Sequence, residues 1–250
     1  FKSGVYDLMY TAASYLQGSI PEVDALSAQQ IKPWDARKSG GMAVLNKAVS
    51  KRLNGIILSH TASSVQFQLY LRKKPTIGPD GVISLKGFKM RSTALYHPFM
   101  KAMGAMPINI SPGDVYTSLE RGLVKGLAWP EGGIFRYGWT KYIKYRIGPG
   151  FWRSSTMAVV NLDAYNKMTK KERDSLDAWG LKFEKASTPY MRALADKDNV
   201  KVFGAGVKAI DLPGEYGKAF TKTVMGSTWA AAEKKVPAKF FKPLKKLLLK

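Results

Sequence analysis

The sequence predicts an α/β fold, and three observations carry that prediction. Between Leu85 and Pro130 short apolar segments alternate with amphipathic ones. The connections between them are too short for any arrangement except consecutive parallel units. The 250 residues are 45% hydrophobic and contain no cysteine, so a large core must form without disulfides or thiolate metal sites.

Within that stretch, Phe88 to Arg91 reads as a strand, and Ser92 or Thr93 as the N-cap of a helix whose inner face is Leu95, Tyr96, Phe99, Met100 and Met103. Gly104 ends this helix, and Pro107 to Ile110 forms the next strand. Ser111-Pro112-Gly113-Asp114 opens a second helix with proline at its first position, Gly122 closes it, and Leu123 to Trp129 is the third strand. Ligands in open sheets of this type sit beyond the carboxyl ends of the strands, where Arg91 and Trp129 both fall.

Around this unit the chain reads as follows. Phe1 to Gly4 is the end of a helix, Val5 to Met9 a strand, and Thr11 to Tyr15 a polar loop. Gly18 to Trp34 is rich in turns, Ser39 to Leu53 is a helix with Met42, Leu45, Val49 and Leu53 inward, and Asn54-Gly55 stops it before the strand Ile56 to Leu58. Val65 to Arg72 alternates, giving a half-buried strand with Gln66, Gln68 and Tyr70 on its polar face. Ile134 to Ile147 reads as helix or helical turns dense in aromatic residues, most of them core. A strand from Thr156 to Val160 precedes a helical region from Asn161. There Thr169 and Glu172 form a capping box, and Leu176, Trp179, Phe183, Ala186, Tyr190 and Leu194 mark a stripe ending near Asp196, with Pro189 expected to kink or split it. Val200 to Phe203 reads as a short strand, and helices follow from Pro213.

The formal net charge of +22 raises nucleic acid or an anionic membrane as a partner. Most lysines are scattered over the helices, and the one dense run is Lys234 to Lys250, seven lysines interleaved with Phe240, Phe241, Leu244 and Leu247 to Leu249. Its bland reading is a final helix with its apolar side on the body and its lysines in water. No apolar run is long enough to cross a bilayer, and no signal peptide stands at the start. His60 and His97 are the only histidines and lie in no metal-ligand spacing; no phosphate loop or dinucleotide fingerprint occurs, and the chain reads as a non-enzyme.

Four ordered blocks then carry a resemblance. Leu85-Lys86-Gly87-Phe88-Lys89-Met90-Arg91, Ala102-Met103-Gly104-Ala105, Gly113-Asp114-Val115-Tyr116-Thr117-Ser118-Leu119-Glu120-Arg121-Gly122 and Gly126-Leu127-Ala128-Trp129-Pro130 resemble the DctP-like solute-binding proteins of TRAP (tripartite ATP-independent periplasmic) transporters. Ser3 to Asp7 and Asn161-Leu162-Asp163 extend the similarity over most of the chain. The resemblance implies a two-lobed, periplasmic-binding-protein-like α/β fold with a long helix spanning both lobes, and a strand and helix ahead of residue 1. It divides the chain into residues 1–63 in lobe 1, 64–90 as hinge-crossing strand and start of lobe 2, 91–160 as lobe 2 with the return crossing, 161–196 as the spanning helix, and 197–250 as C-terminal elements packing on the lobes.

By the same resemblance the chain is a periplasmic receptor that captures a small organic carboxylate between its lobes and delivers it to membrane permease subunits. Arg91 pairs with the carboxylate, because a guanidinium donates the two parallel hydrogen bonds that a carboxylate accepts; by itself it also reads as a surface or domain-bridging arginine. Trp129 follows the tryptophan branch of a family position that often holds asparagine, with a core tryptophan as the alternative. Gln66 is a candidate contact or a solvated strand residue, and Tyr15 a contact or a turn residue capping the core. Phe151 and Trp152 would form an aromatic wall. Arg153 stands where the branch that binds 2-oxo acids through a cation has a glutamate, which removes the metal and leaves room for a second acidic group on the solute. No cofactor, metal or nucleic acid is expected, and the solute is aromatic, branched or dicarboxylic. The reading from another class is a basic protein that binds nucleic acid or anionic membrane through its Lys-rich C-terminal tail.

Overall fold

The computed structural model describes residues 1–79 and 82–249. Its strands in chain order are β1 (Leu8–Ala12), β2 (Gly55–Thr61), β3 (Phe67–Leu71), β4 (Lys89–Ser92), β5 (Met106–Asn109), β6 (Gly126–Pro130), β7 (Tyr145–Gly148), β8 (Thr156–Asn161) and β9 (Lys208–Asp211), beside a two-strand ribbon of Thr76–Ile77 and Ile83–Ser84. Besides short helical turns at Asp24–Ser27 and Pro33–Lys38, the helices are α1 (Gly41–Leu53), α2 (His97–Ala102), α3 (Val115–Glu120), α4 (Leu162–Lys167), α5 (Lys170–Gly204), α6 (Gly214–Lys235) and α7 (Ala238–Leu248) among the described residues. The α/β class read from the sequence is the class observed. The chain forms two compact units, residues 1–64, 153–191 and 231–250 in the first, and residues 65–152 and 192–230 in the second.

The first unit is built on an antiparallel sheet of order β1-β8-β2. Helix α1 begins after Gly40 and stops at Asn54, which takes the left-handed conformation (φ 54°), and buries Met42, Leu45, Val49 and Leu53. Helix α7 closes this unit. Phe241, Leu244 and Leu248 are buried, while Lys239, Lys242, Lys245 and Lys246 are exposed. The backbone NH of Gln30 donates to the Leu248 carbonyl. The lysine-rich tail therefore uses its apolar side for packing, the bland reading of that run.

The second unit holds a sheet of order β9-β7-β3-β6-β4-β5. Strand β4 pairs parallel to both β5 and β6, as the Leu85–Pro130 stretch predicts, and β3 is antiparallel to β6 and β7. Period-two alternation sends Phe67, Leu69, Leu71, Met90, Ala128 and Ile147 into one apolar cluster with Phe99, Met100, Phe151 and Trp152. Tyr70 and Leu127 enter another, with Val115, Leu119, Trp139, Ile143 and Val202.

Several expectations change. Phe1 to Gly4 is a turn and not a helix end, and the first strand starts later, at Leu8. The segment after β4 is a turn, so α2 begins at His97 with Tyr96 as cap and not Ser92 or Thr93; Pro98 supplies the preset φ of a first turn. Strand β3 is buried on both faces, since Gln68 and Tyr70 are covered. Residues 134–147 are not a helix: Gly133 (φ 89°) and Gly138 (φ 71°) are left-handed, which leaves one 3-10 turn, Trp139–Lys141, before β7. Residues 200–203 belong to α5 and form no strand, and α5 runs through Pro189 unbroken for 35 residues, about 52 Å. Its first 22 residues lie in the first unit and the rest in the second.

The capping box at its start holds, with Thr169 NH donating to Glu172 Oε2 at 2.7 Å and Glu172 NH to Thr169 Oγ1 at 3.3 Å. The predicted stripe does not hold. Trp179, Tyr190 and Leu194 are exposed, while Gly180, Glu184, Ser187, Ala195 and Val202 face inward. A Cβ on Gly180 would lie 2.5 Å from the Leu58 carbonyl oxygen, so α5 approaches β2 too closely for large side chains.

Asp24 is buried in the first unit and hydrogen-bonded to Gln17. Burial pushes its carboxyl from 3.8 to about 6, against the Gln17 hydrogen bond and the Lys235 charge, with the Glu22 charge adding to the rise. The folded chain then holds this proton to higher pH than the unfolded chain, so the contribution of Asp24 to stability falls as pH rises from about 4 to about 6 and stays lost above. Asp24→Asn is expected to raise the unfolding free energy by about 3 kcal/mol at pH 7.5 and to leave it unchanged near pH 4, as urea titrations at the two pH values would show.

Candidate functional site: an unpaired buried arginine

Arg91 and Leu127 are register partners on β4 and β6, and Trp129 lies two residues further along β6 on the same face. Arg91 is 1% exposed. Its Nε donates to the Ile110 carbonyl at 2.9 Å, and its guanidinium carbon lies 5.2 Å from the Trp129 ring centroid. That indole is fixed edge-on by Trp139 at 5.0 Å and Tyr137 at 6.0 Å. Nη1 and Nη2 of Arg91 are buried and have no hydrogen-bond partner among the described residues, and no acidic side chain pairs with it there. The edge formed by its two terminal nitrogens is therefore the one left without a partner among the described residues, and its parallel N–H vectors match a carboxylate.

A polar cluster borders β3 and β6. The Glu131 carboxylate accepts from Arg192 Nη1 at 2.6 Å, Gln68 Nε2 at 3.1 Å and the Gln66 backbone NH at 3.2 Å. The Glu131 NH donates to the Gln66 carbonyl at 2.8 Å. Gln66 also lies against Gly150, where a Cβ would come within 2.8 Å of both its Cβ and its Oε1. Gln68 Oε1 is buried and accepts nothing among the described residues. Tyr70 is fully buried nearby, and burial first, then the Glu131 carboxylate, pushes its hydroxyl far above the usual range.

The sequence-predicted residues divide into groups. The structure brings Arg91 and Trp129 together, and joins Gln66 to Glu131 at the end of the strand bearing Trp129. Phe151 and Trp152 lie in the core of the second unit: Phe151 meets the Phe99 ring at a tilt at 5.4 Å, Trp152 meets it edge-on at 5.0 Å, and the Trp152 indole NH donates to Thr228 Oγ1 at 3.0 Å. Arg153 belongs to the first unit, its Nη1 donating to the Ser63 carbonyl at 3.1 Å and its Nη2 to the Gln30 carbonyl at 3.4 Å. Tyr15 is 52% exposed in a 3-10 turn of the same unit. Sequence reasoning missed Gln68, Glu131 and Arg192. The polar face of Val65 to Arg72 signalled the first and the Trp-Pro-Glu-Gly-Gly run the second, whereas Arg192 reads as an ordinary helical partner of Asp196.

His60 is buried in the first unit, with Nε2 2.8 Å from Ser155 Oγ and Nδ1 3.4 Å from Gln29 Nε2. Burial, and next the Arg37 charge, lower its pKa to about 3, so the ring is neutral. The Glu184 carboxylate accepts from the His60 backbone NH at 2.8 Å. Among the described residues no carboxylate is hydrogen-bonded to this ring, and the Ser–His contact is a satisfied polar pair of the core. No three histidine, aspartate or glutamate side chains come together in a metal-binding group among the described residues.

The sequence profile of "Bacterial extracellular solute-binding protein, family 7" matches residues 1–235. The monocarboxylate 2-oxoacid-binding periplasmic protein all3028 of Nostoc sp. is 26% identical in an alignment 185 positions long that covers 69% of this chain and 49% of that protein. The C4-dicarboxylate-binding periplasmic protein DctP of Rhodobacter capsulatus is 23% identical over 165 residues, 66% of this chain and 47% of that one. The chain thus spans about half the length of the curated relatives it matches. Among solved structures, a TRAP periplasmic solute-binding protein from Desulfovibrio salexigens with bound orotic acid superposes with a TM-score of 0.84 at 19% identity, covering 98% of this chain and 80% of that one. One from Rhodoferax ferrireducens with bound malonate gives 0.81 at 17% identity, covering 98% and 78%. These likenesses show the fold.

A buried guanidinium with unmet donors costs the empty protein stability, roughly 1–3 kcal/mol per unmet group and more when charged. Arg91→Met keeps similar volume, removes the charge and forfeits one hydrogen bond to Ile110. It is expected to raise the unfolding free energy of the ligand-free protein by about 1–2 kcal/mol in urea titration. A fall of that size would mean that Arg91 is structural.

Proposed function

The chain belongs to family 7 of the bacterial extracellular solute-binding proteins, the DctP-like family of TRAP transporters, and from that premise we propose that it is a periplasmic receptor that binds one small organic carboxylate on Arg91 and hands it to the membrane subunits of its transporter. One observation carries the reading: the two terminal nitrogens of a fully buried arginine have no partner among the described residues.

The folding of the second unit has already stripped water from this guanidinium, so an incoming carboxylate meets a donor pair that needs no further desolvation, in surroundings where each charge–charge contact is stronger than in water. Ile110 holds the Nε edge and Trp129 the π-face, which leaves the solute the Nη edge. Trp129 then offers its own ring to the body of the acid, with Gln66 at the neighbouring strand end. Phe151 and Trp152 contribute as the packed support of this sheet, while Arg153 and Tyr15 belong to the first unit. Binding uses no cofactor, metal or catalytic step. The aromatic surroundings of Arg91 suit an aryl or branched acid. The relatives with bound orotic acid and malonate carry acids of different shapes, consistent with a shared carboxylate anchor and variable surroundings.

A thermal-shift screen of the whole protein against a carboxylate panel, in parallel with Arg91→Ala, tests this reading. At 100 times its dissociation constant a true solute adds about 2.7 kcal/mol, which for a chain of this length is roughly a 5–10 °C rise in Tm. The expected result is a rise of that size with one group of related acids in the parent and none in Arg91→Ala. Equal rises in both proteins, or none in the parent, would overturn the reading.

A further inference from the structure

The first unit contains a cavity of about 700 Å³ that plays no part in the binding reading above. It is lined by the last turn of α1, the start of α7 and residues near the beginning of the chain. Four of its side chains are cationic, Lys2, Lys51, Arg52 and Lys239, and none is acidic; Leu53 and Phe240 are apolar. Its size lies in the range of small-molecule sites.

The charges here are not balanced within the protein. Arg52 donates through Nε and Nη2 to one oxygen of Glu22, at 3.1 and 3.0 Å. Glu22 is fully buried, so its carboxylate fixes Arg52 from behind. The Arg52 Nη1 has no protein partner among the described residues, and Lys2, Lys51 and Lys239 enter no ion pair there. The Lys239 ammonium sits 5.5 Å from the Phe240 ring centroid, which puts a cation beside an aromatic face in one wall. Cations around a concave apolar surface focus positive potential where an aromatic or aliphatic body can also leave water.

We propose that this cavity is a second binding site, for an amphipathic anion: a phosphate or sulfonate head on an aromatic or short alkyl body. The head lies among Lys51, Arg52, Lys239 and Lys2, and the body against Leu53 and Phe240. A bare inorganic anion gains only the first half of these contacts, and a neutral aromatic only the second.

Fluorescence titration of the full chain with 8-anilinonaphthalene-1-sulfonate tests this. Saturable binding at one equivalent per chain is expected, displaced by phenyl phosphate and only weakly by inorganic phosphate. Lys51→Glu with Lys239→Glu, and separately Phe240→Ala, should each weaken the probe by about tenfold or more, while Arg91→Ala binds it like the parent. Far-UV circular dichroism confirms that each variant is folded, and Lys51→Gln with Lys239→Gln replaces any that is not. Non-saturable binding by the parent, equal affinity in the charge and phenylalanine variants, or loss in Arg91→Ala would overturn the proposal; the last would place the probe at the carboxylate site.

Discussion

The guanidinium of Arg91 is held by a carbonyl on one edge and lies beside an indole, with its other edge buried and unmet among the described residues. Such a group persists only if its surroundings leave it nowhere else to go. The parallel pairing of β4 with β6 sets Arg91 opposite Leu127, so the side chain must emerge on the face of Trp129. Trp139 and Tyr137 clamp that indole, and left-handed glycines at 133 and 138 turn the chain so that both rings arrive. Much of the second unit can be read as the scaffold that keeps one cation dry and unpaired.

Arg37 in the first unit shows the opposite solution. Its Nε and Nη2 bind both oxygens of Glu184 on α5, and Nη2 also donates to the Leu58 carbonyl. Glu184 in turn accepts from the His60 backbone NH. Every charge in that set has its counterpart, and removing one partner of a buried pair typically costs 3–5 kcal/mol. Paired, an arginine locks a helix onto a strand. Arg91 has no such partner among the described residues, and the difference lies in the neighbours that the fold delivers.

Those neighbours explain what was legible. The parallel strands around Arg91, the inward face of α1 and the capping box at Thr169 were readable because each rests on residues close in sequence: alternation, three- and four-residue spacing, local caps. Arg91 itself stood out as an arginine at a strand end. The stripe on α5 was misread because hydrophobicity alone assigns Trp179 and Tyr190 inward, whereas helix-to-sheet distance decides, and Gly180 meets the Leu58 carbonyl where a larger residue cannot fit. Of the two readings of segment 134–147, helix or helical turns, only the second survives up to β7, because aromatic spacing imitates a helix while left-handed glycines forbid one. The link from Arg192 through Glu131 to Gln68 joins residues 61 and 63 positions apart, a relation no local pattern encodes.

The most direct measurement is calorimetric titration of the whole protein with its preferred carboxylic acid and with the primary amide of that same acid. The amide keeps the shape and removes the negative charge to which the Nη groups of Arg91 would donate. If Arg91 is the anchor, the amide binds at least about a hundredfold more weakly, the worth of a pair of charge-assisted hydrogen bonds in a dry site. Equal affinity for acid and amide would show that the unmet edge of Arg91 is not where the solute is held.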